Sequence, residues 1–169
     1  PSRVLPVGEP ITPPAARSAS RNPAPASRPA PSPSAGADDL GPRRSATGYR
    51  EGQPVELSLV RLDGEWVESE TARVYRSMRE TALKSGVELR IVSGFRTQEQ
   101  QARLYHCRRR HRCPLAARPG HSQHQSGRAL DLDVRSSPKA SHWLERHAGS
   151  FGFYRTVRGE PWHWERESR

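Results

Sequence analysis

An α+β fold is predicted, with an antiparallel sheet at its centre and helices packed outside it. Three observations predict it. Val55–Val60, Val87–Val92 and Ala129–Val134 alternate apolar and polar residues, the period of strands with one face on a core. Between the first two, Ala72, Val74, Tyr75, Met78, Ala82 and Leu83 recur at helical spacing. After the second, Thr97 with Gln100 resembles a capping box that opens a helix through about His111.

The elements follow in order. Residues 1–47 hold 11 of the 16 prolines, together with much Ala, Ser and Arg. Such a segment cannot bury enough apolar area to offset its ordering entropy, so it reads as a disordered tether. The globular domain is expected over residues 48–169. Asp63-Gly64 marks a turn, and Glu65-Trp66-Val67 pairs back on the first strand as a hairpin. Ser69 is the expected N-cap of the first helix and Gly86 its stop. Tyr75 and Met78 belong to the core. Pro119-Gly120 is a turn that re-aims the chain. Ser141–His147 forms a short helix stopped by Gly149. Phe151–Tyr154 and Glu160–Glu165 close the sheet as strands.

Charge narrows the partners without selecting one. The chain has 169 residues and a net charge of +10. Residues 48–169 carry 22 basic against 15 acidic side chains, so the predicted domain is itself basic. That suits nucleic acid, an anionic membrane or an anionic wall polymer. A specific nucleic-acid reading rests on charge alone and is set aside. There is no apolar run long enough to span a membrane. The chain begins at Pro1 with no initiator methionine, so a missing leader is no evidence for the cytoplasm.

The residues that carry chemistry lie in two stretches, Pro119–Asp133 and Glu160-Pro161-Trp162-His163. The first offers His124 and Asp131, the second His163 and Glu160. Two imidazoles and one carboxylate are a common ligand set for a catalytic zinc with one open position. A second carboxylate, off the metal, is what such a site needs to take a proton from the attacking water. Strand alternation puts Asp131 on the face opposite Leu130 and Leu132. The same rule would put Glu160 and His163 on opposite faces, so the backbone must bend between them, and Pro161 makes an irregularity there reasonable.

Ser122-x-His124-x-x-Gly127-x-Ala129-x-Asp131, followed by Glu160-x-x-His163, resembles the signature of the zinc D,D-peptidases. These are the vancomycin-resistance type D-alanyl-D-alanine carboxypeptidases and related peptidoglycan endopeptidases, with the hedgehog signalling domain as a structural relative. Ser93-Gly94-Phe95-Arg96-Thr97 is similar to the family's Ser-Gly-aromatic-Arg segment, and the likeness covers roughly residues 53–165.

The resemblance implies one Zn2+ ion held by His124, Asp131 and His163, with Glu160 as general base. It implies Arg96 beside the developing oxyanion, and Ser122, Arg96 and Gln101 as contacts to substrate. It implies a monomeric hydrolase of peptidoglycan stem peptides, exported to the periplasm or cell envelope, with residues 1–47 available as a membrane tether. The favoured activity is D,D-carboxypeptidase. An endopeptidase cutting stems or crosslinks is the runner-up, and a catalytically silent wall-binding module on the same fold is the reading from another class. In an exported protein Cys107 and Cys113, the only two cysteines, would close a local disulfide around Arg108, Arg109, Arg110 and Arg112. A second metal site using His106 or His111 is the alternative.

Overall fold

The computed structural model describes residues 40–110 and 116–167. The chain opens as a meander of β1 (Arg44–Arg50), β2 (Gln53–Leu62) and β3 (Glu65–Glu68), paired antiparallel in that order. Two-residue turns join them. Glu51-Gly52 and Asp63-Gly64 all take positive φ, between 51° and 87°, which matches the twist of flanking antiparallel strands. The predicted Asp63-Gly64 hairpin is therefore present. Asp63 does more than turn the chain. Its carboxylate accepts from the Ile91 amide at 2.9 Å, Arg79 at 2.8 Å and the Tyr75 hydroxyl at 3.3 Å. The hairpin tip is thereby tied to the helix and strand that follow.

Helix α1 (Ser69–Lys84) follows β3 directly. Its N-cap is Glu68, not Ser69. Glu68 keeps extended backbone at the end of β3, and its longer side chain reaches back to accept from the Glu70 and Thr71 amides at 3.0 and 2.9 Å. The C-terminus ends as expected at Gly86. With Gly86 left-handed, its amide bonds the Leu83 carbonyl and the Val87 amide bonds that of Ala82, which satisfies two otherwise orphaned acceptors.

The second sheet has the order β4-β5-β7-β6, antiparallel throughout, with β4 (Ile91–Ser93), β5 (Ala129–Leu132), β6 (Phe153–Tyr154) and β7 (His163–Arg166). Between β4 and β5 stands α2 (Gln98–Arg109), opened by the predicted Thr97/Gln100 capping box. Between β5 and β6 stands α3 (Pro138–His147), capped by Ser137. It continues as a 3-10 turn over Ala148–Phe151, so the backbone stops at Gly152 (φ 73°) rather than at Gly149.

The expected antiparallel sheet carries Asp131 and His163, and β1–β3 form a separate sheet. Three other expectations differ from the structure. Pairing begins at Arg44, ahead of the boundary expected at 48, because Arg44–Thr47 bond to Glu56–Leu59. The strand expected over Val87–Val92 shortens to three residues, since Val87–Arg90 bury alternate side chains without a continuous ladder. Glu160–Trp162 is a turn rather than strand, and β7 starts at His163. Of the expected tether, residues 1–39 lie outside the described residues.

The core joins the sheets to α1 and α3. Val60 and Val67 meet Ala72, Tyr75, Met78 and Ala82 of α1, with Ile91, Leu130, Leu132, Trp143, Leu144, Phe153 and Trp164. Tyr75 and Met78 are wholly buried, as their helical spacing requires. Among the described residues, no helix is long and apolar enough to cross a membrane.

Candidate metal centre

Asp131 lies in the middle of the second sheet. Ser93 of β4 stands opposite it on one side and His163 of β7 on the other. A register shift between Ile91 and Ser93 bends β4 at this point. Directly opposed side chains on one face of a sheet are close neighbours, so the register alone brings Asp131 and His163 together. His163 Nδ1 is 3.0 Å from Asp131 Oδ1.

His163 enters β7 from the anticipated bend. Its amide donates to the Glu160 carbonyl at 3.1 Å, across Pro161 and Trp162. A turn, rather than continuous strand, thus separates Glu160 from His163.

His124 comes from the loop between α2 and β5. The Ser122 carbonyl accepts from the Gln125 and Ser126 amides, and Ser122 Oγ accepts from the His124 amide at 3.3 Å. The loop is pinned from outside as well. The Tyr49 amide bonds the Gln125 carbonyl and the Gly52 amide bonds that of Gly120, each at 2.9 Å. Thr71 donates to the Gly127 carbonyl at 2.7 Å. Gly127 has φ 76°, and a Cβ there would meet Glu68 Cβ at 2.5 Å, so only glycine lets the loop dock on α1. His124 Nδ1 lies 2.7 Å from the Gly94 carbonyl, which can only accept, so Nδ1 carries the proton and Nε2 keeps a lone pair.

His124, Asp131 and His163 therefore place one ligand atom each within 4.8 Å of the others, a group able to hold a metal ion. His124 Nε2 is buried and has no hydrogen-bond partner, although Asp131 Oδ1 lies 3.3 Å away. A buried lone pair facing a carboxylate, with no proton between them, is a poor arrangement for a dry polar cluster and a good one for a cation.

The electrostatics favour a metal at His124 and Asp131 and oppose one at His163. Burial pushes the His124 pKa down, against the pull of Asp131, which favours the neutral form a metal needs. Burial alone would raise Asp131, but His124, His163 and Arg96 close around it hold it well below the usual carboxylate range. His163 is opposed by burial yet lifted to about 9 by Asp131 and Glu165.

Arg96 joins the cluster directly. Its Nη2 donates to Asp131 Oδ2 at 2.8 Å, and it also contacts Ser93 Oγ at 3.2–3.3 Å. Burial lowers its pKa, while Asp131 and the nearby Glu160 favour its charge. Glu160 itself is half-buried. Ser122 is buried, with its Oγ committed to the His124 loop. Gln101 is buried on α2, where its amide donates to the Ala117 carbonyl at 2.9 Å and its Oε1 has no partner. Cys107 lies near the end of α2, whereas Cys113 and His111 lie outside the described residues.

Two contributors escaped the sequence reading. Gly94 supplies the carbonyl behind His124. Glu165 Oε1 lies 2.9 Å from His163 Nε2. Strand periodicity puts residues 163 and 165 on one face, which is the signal that could have found it.

An antiparallel sheet thus gathers two imidazoles and a carboxylate at its centre, with an arginine bonded to that carboxylate. The family model for VanY, D-alanyl-D-alanine carboxypeptidase, matches residues 64–166, and the chain belongs to that family. YodJ of Bacillus subtilis (strain 168), a provisionally assigned carboxypeptidase, is 29% identical over 115 residues. That match takes in 59% of this chain and 42% of YodJ, so the chain spans less than half the length of this curated relative. Among solved structures, VanYB in complex with D-alanine-D-alanine is similar with a TM-score of 0.58 and 23% identity, covering 68% of this chain and 79% of that one. A mutant of the vancomycin-resistance D,D-pentapeptidase VanY in complex with Zn(II) has a TM-score of 0.55 and 24% identity, covering 65% and 78%. These two likenesses establish the fold.

Proposed function

We propose that this protein is a zinc-dependent D,D-carboxypeptidase that removes the terminal D-alanine from peptidoglycan stem peptides. The observation that carries the reading is the buried His124–Asp131–His163 cluster, within a segment that belongs to the VanY family. His and carboxylate donors in this number suit zinc with one position left open. The Zn(II) held by the VanY relative supports the same ion here.

His124 through Nε2, His163 through Nδ1 and one oxygen of Asp131 would hold the ion. When bound, zinc lowers the pKa of a water molecule and polarises the scissile carbonyl. Glu160 takes the proton from the attacking water. The hydroxyl adds to the carbonyl carbon, the C–N bond breaks, and Glu160 returns the proton to the leaving amine of D-alanine. Arg96 keeps its charge beside the carbonyl oxygen as negative charge develops there, and its bond to Asp131 holds the guanidinium in place. Ser122 and Gln101 are assigned to the substrate-binding wall. Export to the periplasm or cell envelope, a tether in residues 1–47, a monomeric state and a Cys107–Cys113 disulfide belong to the same proposal. The disulfide requires that thiol reagents label the folded protein only after reduction.

Mass spectrometry of muropeptides tests the reading. Zinc-loaded protein and Glu160→Ala are incubated with a soluble pentapeptide stem and with purified peptidoglycan. Loss of one terminal alanine by the wild type is expected, with the variant slower by about 10²–10⁴-fold at unchanged zinc content. Cleaved crosslinks or shortened stems would replace the carboxypeptidase by an endopeptidase. No cleavage of either substrate by folded, zinc-loaded protein sinks the peptidase reading in favour of a binding module.

A further inference from the structure

We propose that Glu165 is a positioning residue of the metal centre, holding the Nε2–H of His163 so that Nδ1 keeps its lone pair for the ion. This rests on the reading of His163 as a ligand.

The geometry has three parts. First, the two ring nitrogens of His163 face different groups. Nδ1 points into the cluster, 3.0 Å from Asp131, and Nε2 points out of it, 2.9 Å from Glu165. An ionised carboxylate can only accept a hydrogen bond, so this contact requires the proton on Nε2. Second, Glu165 is well placed to impose that choice. It sits on β7 two residues beyond His163, opposite Ala129 of β5 and Tyr154 of β6, so a neighbouring strand fixes it on either side. Third, His124 shows the complementary arrangement. Its Nδ1 is anchored on the Gly94 carbonyl at 2.7 Å, and its Nε2 faces Asp131. The two histidines thus turn opposite nitrogens to the centre, each with an acceptor-only group behind the ring. Glu165 lies outside the ligand group itself. A carboxylate behind a ligating imidazole orients the ring and raises its basicity, and losing such a partner typically costs 10–100-fold in metal affinity.

The test measures zinc affinity of the full chain by competition with a chromogenic chelator, for wild type, Glu165→Gln, Glu165→Ala and His163→Ala. Glu165→Ala is expected to weaken binding by about 10–100-fold. Glu165→Gln should lose less, because its amide oxygen can accept the same bond. Long-range ¹H–¹⁵N correlation spectra of the zinc-loaded wild type should show His163 protonated on Nε2. Should Glu165→Ala fail to fold, the glutamine variant and the wild-type spectrum carry the test. Wild-type affinity in both Glu165 variants overturns the proposal, as does a His163 ring protonated on Nδ1. A purely structural Glu165 would lower the melting temperature equally with and without metal and leave the affinity unchanged. If His163→Ala binds zinc like wild type, the ligand reading itself falls and this proposal falls with it.

Discussion

At the residue scale, Asp131 is the group on which the site converges. One carboxylate accepts from Arg96 on Oδ2 and faces a ring nitrogen of each histidine with Oδ1, at 2.8 to 3.3 Å. A buried carboxylate is costly unless paired, and here pairing outweighs burial. Tyr75 shows the opposite balance. Burial pushes its hydroxyl well above the ordinary value of 10.0, and the charge of Asp63 adds to the shift. In the unfolded chain this tyrosine ionises near its ordinary value, whereas in the fold it stays neutral. Its contribution to stability is therefore fully present below pH ~10 and is lost as pH rises towards the folded value. Tyr75→Phe should flatten the alkaline limb of a urea-midpoint against pH profile between pH 9 and 11. A limb as steep as in the wild type would show that another group governs alkaline unfolding.

At the element scale, the close approach of β3 to the end of β4 decides where His124 is held. The Phe95 amide donates to the Trp66 carbonyl at 2.6 Å, and a Cβ on Gly94 would lie 2.3 Å from that same oxygen. Because backbone is in the way, Gly94→Ala must displace the segment whose carbonyl anchors His124. The expected result is a loss of about 1–3 kcal/mol in unfolding free energy together with weaker zinc binding. Gly86→Ala is the matching control. No atom lies within 4 Å of a Cβ there, but φ is +70°, so backbone strain of about 1–2 kcal/mol should appear with zinc affinity intact. Chemical denaturation and chelator competition on both variants separate the two effects. Equal zinc affinity in both variants would deny Gly94 its part in positioning His124.

At the scale of the whole molecule, the centre joins segments far apart in the chain. His124 comes from a loop clamped by the β1–β2 hairpin and α1, Asp131 from β5 and His163 from β7. An ion bound by all three would stabilise the fold by RT ln(1 + [L]/Kd), about 2.7 kcal/mol at a hundred times the dissociation constant. Chelation of the zinc-loaded protein should then lower its melting temperature by several degrees, reversibly on adding zinc back. No change in calorimetry would mean that the three side chains do not share an ion.

Much of this was determined by local sequence. The Asp63-Gly64 turn, the Thr97/Gln100 cap, the Gly86 stop and the alternation that sets Asp131 apart from Leu130 and Leu132 depend on a few adjacent residues and on backbone sterics. The order of His124, Asp131, Glu160 and His163 was legible for the same reason, since chemistry-bearing residue types stand out at fixed spacing. Tertiary structure alone decided the rest. Periodicity tells which face a side chain takes but not which strand lies beside it, so two sheets could not be told from one. Nor could Asp131 be placed opposite His163, a pairing that spans 32 residues. Which nitrogen each histidine turns inward depends on partners that only folding supplies. Gly94 lies 30 residues from His124, and Glu165 meets Nε2 only because β5 already holds Nδ1 on the other side of the ring.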